Sequence, residues 1–311
     1  MDGSAKPADI SKRFATYAER REAEALSAIL PGYDTLVDRS GPDLIALRSE
    51  WTDGLFGGPF FRSADGTQPG LPVVNLVFVQ SRNGNTIAAD PSDLGGGATD
   101  KHLVYEGLSR IDADAVLAGA TTAGSRSLVL SIWHPQLVAL RLARGKPRHP
   151  RQVVVTATGD LPLEDGLMFA MPELGACLIA STRIVPELRR RLAGKPWVDI
   201  IDAGEPLSMV HGLQQLHDRG IRVVSAIGGR RTAQALLEAR TIADLYLTTS
   251  AIDAGVPNTP FYTGPSLPLD LVVEKAGRGI EAGVRFHHYR TAGLQPRRWD
   301  NYDSGDCGVR P

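Results

Sequence analysis

Cysteine is nearly missing from this 311-residue chain: Cys177 and Cys307 are the only two. Two are too few for a disulfide framework, and neither stands in a metal-ligand spacing. Cys177 lies inside the apolar run Ala176 to Ala180 and reads as a core thiol. An excess of charge is also missing, since 34 Lys and Arg meet 35 Asp and Glu. No global field therefore recruits nucleic acid or an acidic membrane surface. No run of apolar residues is long enough to span a bilayer, and Met1 to Pro7 lacks the apolar segment of a signal peptide, so a cytoplasmic protein is expected. Three motifs are lacking as well. There is no Gly-x-Gly-x-x-Gly after the first buried strand, no Gly-x-x-x-x-Gly-Lys-Ser/Thr, and no Gly-x-Ser-x-Gly. The seven histidines form no metal-binding spacing, and the pair His287-His288 reads as two faces of one strand.

The most informative stretch present is Val223 to Thr232. A β-branched run ends in Gly228-Gly229, then Ala233, Leu236 and Leu237 follow at helical spacing. That predicts a buried strand, a tight turn and a helix start, where free amide N–H groups attract phosphate. A nucleotide or dinucleotide is the ligand class this feature suggests. From Leu71 onward, strand-like and helix-like segments alternate. Strands are predicted at 73–80, 115–119, 152–157, 176–180, 198–201, 223–227 and 245–248, and helices at 100–110, 184–192, 207–217 and after Gly229. The expected fold is α/β, a mainly parallel sheet with helices on both faces. Leu269 to Glu274 and Val284 to Tyr289 predict an antiparallel hairpin at a sheet edge.

Residues 1–70 read as an N-terminal helical and irregular extension. A helix over Ile10 to Leu30 ends at Pro31-Gly32, and an irregular arm from Trp51 to Gly70 is dense in Gly, Pro and aromatics. Residues 71–292 form the main domain and 293–311 a loose tail.

Parallel sheets bind ligands at the carboxyl ends of their strands. Those ends here carry Ser81, Asn83 and Gly84; Gly119, Thr121 and Thr122; Thr156; Ser181, Thr182 and Arg183; and Gly228, Gly229, Arg230 and Arg231. Hydroxyls, glycines and arginines recurring at five successive ends suit phosphate oxygens and ribose hydroxyls.

In order and spacing these segments resemble the reductase domain of riboflavin biosynthesis, which has a dihydrofolate-reductase-like fold. The resemblance runs from Leu71 to Ala292. It rests on Asn75 to Gly84, on Leu108 to Gly119 with Ala120-Thr121-Thr122, on Ile227-Gly228-Gly229, and on Ala243 to Leu247. It implies NADPH as hydride donor, with the pyrophosphate at Gly228, Gly229 and Arg230 and the adenosine end near Thr156, Ser181 and Thr182. Arg183 is then the candidate for the 2′-phosphate. The implied substrate is a small molecule, a phosphoribosylamino-pyrimidine reduced to its ribityl form, held near Asn75, Ser81, Asn83, Gly84 and Thr122. A homodimer is implied too.

Two positions depart from the family pattern. Asn83 stands where the family has Asp, and Ile227 where an acidic residue is common. Asn83 is therefore expected to position substrate and not to move a proton. A non-catalytic nucleotide-binding or sensor protein is the alternative these departures raise. Dihydrofolate reductase itself fits less well, because the position of its pterin-binding carboxylate falls on Leu103, with Asp100 and Glu106 a turn either side. The zinc deaminase signature of His-x-Glu with Pro-Cys-x-x-Cys is absent.

Overall fold

Residues that alternate between two apolar faces build most of this molecule. The computed structural model describes residues 7–291. In chain order it forms α1 (Pro7–Ser27), β1 (Tyr33–Asp38), β2 (Leu44–Leu47), α2 (Glu50–Phe56), β3 (Phe60–Ser63), β4 (Val73–Gln80), β5 (Ala115–Gly119), α3 (Ala120–Ala123), α4 (Pro135–Ala143) and β6 (Arg151–Thr156). There follow α5 (Leu167–Ala170), β7 (Ala176–Ala180), α6 (Val185–Arg191), β8 (Val198–Asp202), α7 (Met209–Asp218), β9 (Val223–Ala226), α8 (Arg230–Glu238), β10 (Ile242–Thr249), β11 (Leu269–Gly277) and β12 (Arg285–Thr291). The tail 293–311 with Cys307, and the first six residues, lie outside the described part.

Ten strands make one sheet in the order β1-β11-β12-β10-β4-β9-β5-β6-β7-β8. Every pairing from β10 to β8 is parallel, and β12, β11 and β1 add on antiparallel. The expected α/β sheet with a C-terminal antiparallel hairpin is thus present. On one face Val74, Leu76, Leu117, Val153 and Val224 pack against Leu213 of α7 and Leu236 of α8. On the other, Val116, Val154 and Leu178 meet Leu188 of α6 and Phe169 of α5, while Val77 and Tyr246 meet Leu103, Leu137 and Phe60. Each fully buried Leu or Phe contributes roughly 1.5–3 kcal/mol, so a helix as short as α8 is held from below and its first turn is left for other use.

Three expectations change. The 269–289 hairpin does not form the edge, because β1 pairs with β11 outside it. The stretch 51–70 is not an irregular arm throughout: Ser49 caps α2, and β3 pairs with β2 in a small second sheet. Phe56 and Phe60 fill the core beneath. That small sheet is tied to the large one through buried acids. The Ser63 amide and hydroxyl donate to Asp244 at 2.8 and 2.9 Å, and Arg62 pairs with Asp112. Part of the first seventy residues therefore belongs to the main sheet. Finally, the predicted helix 100–110 is a π-helical turn, Thr99–Tyr105, followed by a 3₁₀ turn at Leu108–Arg110.

Candidate active site

The parallel sheet opens at one place. Strand β4 stays paired with β10 as far as Gln80 opposite Thr249, yet it pairs with β9 only as far as Leu76 opposite Ala226. The last four residues of β4, Val77 to Gln80, therefore leave β9 and make one wall of a wedge at the carboxyl ends. Ile227, Gly228 and Gly229 make the other. The turn 99–105 bridges the wedge on one face: the Thr248 hydroxyl of β10 donates to Asp100 Oδ1 at 2.5 Å, and the Tyr105 hydroxyl donates to the Ile227 carbonyl at 3.3 Å. On the opposite face the Phe78 ring lies by Gly228 and packs on Phe261, centroids 5.6 Å apart.

The turn into α8 requires its glycines. Gly228 and Gly229 have φ of 117° and 79°, which side-chain-bearing residues rarely adopt. The amides of the first turn of α8 have no side-chain cap. Gly119 touches the same turn, since a Cβ there would overlap Thr232 Oγ1, and a Cβ on Gly229 would stand 3.5 Å from Thr122 Oγ1. The structure thus joins Gly119, Thr122, Gly228 and Gly229 in one cradle. Arg230 is partly committed elsewhere, because its Nε donates to the Pro260 carbonyl at 2.6 Å. That bond ties the loop after β10 to α8. Arg231 and Thr121 are exposed beside the cradle.

The turn after β4 is self-contained. Ser81 is fully buried, and its hydroxyl lies 2.5 Å from Asn83 Oδ1 and 2.9 Å from the Ala254 carbonyl. Asn85 Nδ2 donates to the same Asn83 oxygen at 3.0 Å. Ser81 therefore shapes the turn, while Asn83 and Gly84 present its outer surface. Asn75 is not brought to the rim: it sits mid-sheet opposite Ser225, 2% exposed, with Oδ1 unpartnered.

Thr156, Ser181, Thr182 and Arg183 lie further along the rim. The ends of β9 and β7 are three strand spacings apart, about 14 Å. Thr156 Oγ1 accepts from the Gly159 amide, so it closes its own turn. Ser181 donates to Glu205, and Thr182 donates to Asp202 Oδ1 at 2.5 Å. The Thr182 hydroxyl and the Gly204 amide hold the Asp202 carboxyl below its usual range. Arg183 is exposed on the first turn after β7.

Two further groups belong to this region. Burial pushes the Asp100 carboxyl up to about 7; the Thr248 hydroxyl pulls it back and nearby Glu281 adds to the rise. Its sequence neighbour Glu106 turns away and pairs with Arg21 of α1. Arg110 is 2% exposed, lies over the Tyr105 ring at 5.0 Å, and has no carboxylate within ion-pair distance among the described residues. Burial lowers its proton affinity. Sequence spacing could flag Arg110 only as a helix end, because its isolation depends on packing around the turn.

The sheet splits beside a glycine-led helix with no side-chain cap, which is the strand-end geometry of an α/β protein of the open, mostly parallel kind. Residues 72–276 match the RibD C-terminal domain, and the chain belongs to that family, whose fold is dihydrofolate-reductase-like. Among solved structures it is similar to a pyrimidine reductase-like protein from Corynebacterium diphtheriae, with a TM-score of 0.59 and 20% identity over 71% of this chain and 92% of the other. It is also similar to Acinetobacter baumannii RibD, with a TM-score of 0.51 and 19% identity over 72% of this chain and 59% of that longer one. At such identities the likeness is one of fold. No curated protein matches the sequence significantly.

Proposed function

We propose that this protein is an NADPH-dependent reductase of a phosphoribosylamino-pyrimidine, of the riboflavin-pathway type, or of a closely related small heterocycle. The observation that carries the reading is the uncapped α8 N-terminus behind Gly228-Gly229, at the mouth of the β4/β9 wedge. Membership of the RibD C-terminal domain family supports it.

The residues present fit a nicotinamide dinucleotide. Main-chain amides of α8 with Thr122 would hold the pyrophosphate, and the exposed Thr182 and Arg183 would meet the adenosine end. When bound, the cofactor supplies the hydride. The chain's own part is to orient the sugar carbon against the cofactor ring in the wedge and to keep water out with Phe78, Tyr105 and the loop pinned by Arg230. Asn83, exposed beside the wedge, is in place to position the pyrimidine.

The test is a titration of the purified protein with NADPH and with NADH, followed by turnover on the phosphoribosylamino-pyrimidine read as loss of the reduced nicotinamide's absorbance. The reading predicts cofactor binding and substrate-dependent oxidation of NADPH. Binding without turnover on any pyrimidine or pterin tried would leave the fold and remove the assignment. The proposal includes a homodimer, which light scattering would show as about twice the 33.3 kDa chain mass; a monomer mass removes that part.

A further inference from the structure

Reducing a ring-closed sugar consumes a proton as well as a hydride, and neither Asn83 nor Ile227 can give one. A buried acid borders the wedge. Asp100 starts the turn that bridges the wedge, and its Oδ1 is fixed by the Thr248 hydroxyl at 2.5 Å. Its Oδ2 faces Gly96, where a Cβ would come within 3.1 Å, and that glycine also lies against Val79 on the β4 wall. With no side chain at 96, the space beside that oxygen on this side is left to main chain. From the β11–β12 connection comes Glu281, which accepts the Thr99 amide on Oε1 at 3.1 Å and leaves Oε2 buried without a partner. From β1 comes Tyr33, fully buried, its hydroxyl also unpartnered. Tyr105 lies at the far end of the same turn. None of the charged groups that act on Asp100 is a cation. Two polar groups with unsatisfied atoms, Glu281 and Tyr33, thus lie with Asp100 beside the wedge, which ordinary packing avoids.

We propose that Asp100 is the proton donor of the reduction, with Thr248 fixing its carboxyl and Glu281 and Tyr33 completing its surroundings. The inference rests on the reductase reading above. The hydride adds to the anomeric carbon as that carbon's bond to the ring oxygen breaks, and the bonding pair stays on the oxygen. The proton of Asp100 converts that oxygen to a hydroxyl. The sugar gains two electrons, the nicotinamide loses two, and Asp100, left as carboxylate, takes a new proton from water.

The experiment compares wild type with Asp100→Asn, Asp100→Glu and Glu281→Gln, reading kcat and KM across pH. A second readout follows the side-chain carboxyl carbons by NMR in aspartate-labelled protein without cofactor. Asp100→Asn keeps the acceptor for Thr248, so its fold is expected to survive, checked by circular dichroism. Expected are a kcat loss of roughly 100-fold or more, an unchanged KM for NADPH, and partial rescue by Asp100→Glu. Wild-type kcat falls as pH rises through about 7, where the Asp100 signal also titrates. Glu281→Gln removes a neighbouring negative charge and moves both midpoints to lower pH. Wild-type kcat with an unaltered pH profile in Asp100→Asn would overturn the proposal while leaving the reductase intact, and so would an Asp100 carboxyl already ionised at pH 5. A wild-type protein that never oxidises NADPH would remove the reductase reading and this inference together.

Discussion

Gly119 shows how much a single missing methyl can decide. It ends β5 with the Thr232 hydroxyl of α8 directly against it, so Gly119→Ala forces that hydroxyl to turn or the first turn of α8 to shift. Overpacking of this kind costs roughly 1–3 kcal/mol. A loss of that size in urea unfolding is expected, together with a weaker grip on NADPH, about tenfold or more for a displacement worth 1.4 kcal/mol; tight cofactor binding by the variant would separate the cradle from the ligand. Asp100 makes a second prediction. Its proton affinity is raised by folding, so native protein binds a proton that the unfolded chain releases between the ordinary aspartate range and about pH 7. Its contribution to stability is greatest in acid and is lost as pH rises through that window. Asp100→Asn should therefore be more stable than wild type at pH 8, by about 1–4 kcal/mol at roughly 1.4 kcal/mol per unit, with the advantage shrinking towards pH 5. Equal or lower stability at pH 8 contradicts the raised proton affinity. The sequence could show that Gly228-Gly229 and Gly119 lie at strand ends. It could not show that Thr248 would become the partner of Asp100, because that pairing is made only when β10 lies beside β4.

Strands and helices of the central α/β unit were legible because β-branched runs bounded by glycine, and helices after Pro206 and Gly229, follow local rules. What was not legible is made by long-range contact. β1 reads as a polar segment, with Asp34, Thr35 and Asp38 among its six residues, and becomes a strand only because β11 offers an unpaired edge. β3 is held as much by buried acids as by its own propensity. Burial alone would raise the Asp112 carboxyl, yet Arg62 and Arg144 outweigh it and hold it below its usual range. Arg62→Ala leaves Asp112 with Arg144 alone, so a loss of about 2–3 kcal/mol is expected, under the ~3–5 of a fully orphaned buried charge. Because the Asp112 charge is what the arginine stabilises, the difference is present at neutral pH and is lost as pH falls below the ordinary aspartate range, through the lowered native one. A penalty that persists unchanged into acid would show that packing of the arginine stem, not the ion pair, anchors the small sheet.

The chain as a sheet of ten strands gains its site from a fault in its own regularity. One neighbour holds β4 to its last residue and the other releases it halfway. The wedge is then framed by elements from both ends of the described chain: Tyr33 from β1, Glu281 from the β11–β12 connection, and the α8 turn between them. That breadth explains why site residues picked from strand ends alone divided as they did. Gly119, Thr122, Gly228 and Gly229 met in one place, Ser81 and Thr156 proved to close their own turns, and Asn75 stayed inside the sheet. Among the described residues no helix is long and apolar enough to cross a membrane.

The central claim is that main-chain amides at the start of α8 grip a dinucleotide pyrophosphate. Titrating isotope-labelled protein with NADPH while following backbone amide resonances tests it most directly. The account predicts saturable shifts centred on residues 228–232, with smaller ones at 119–122 and 181–183. NADPH binding that leaves residues 228–232 unmoved, or no binding at all, would contradict it.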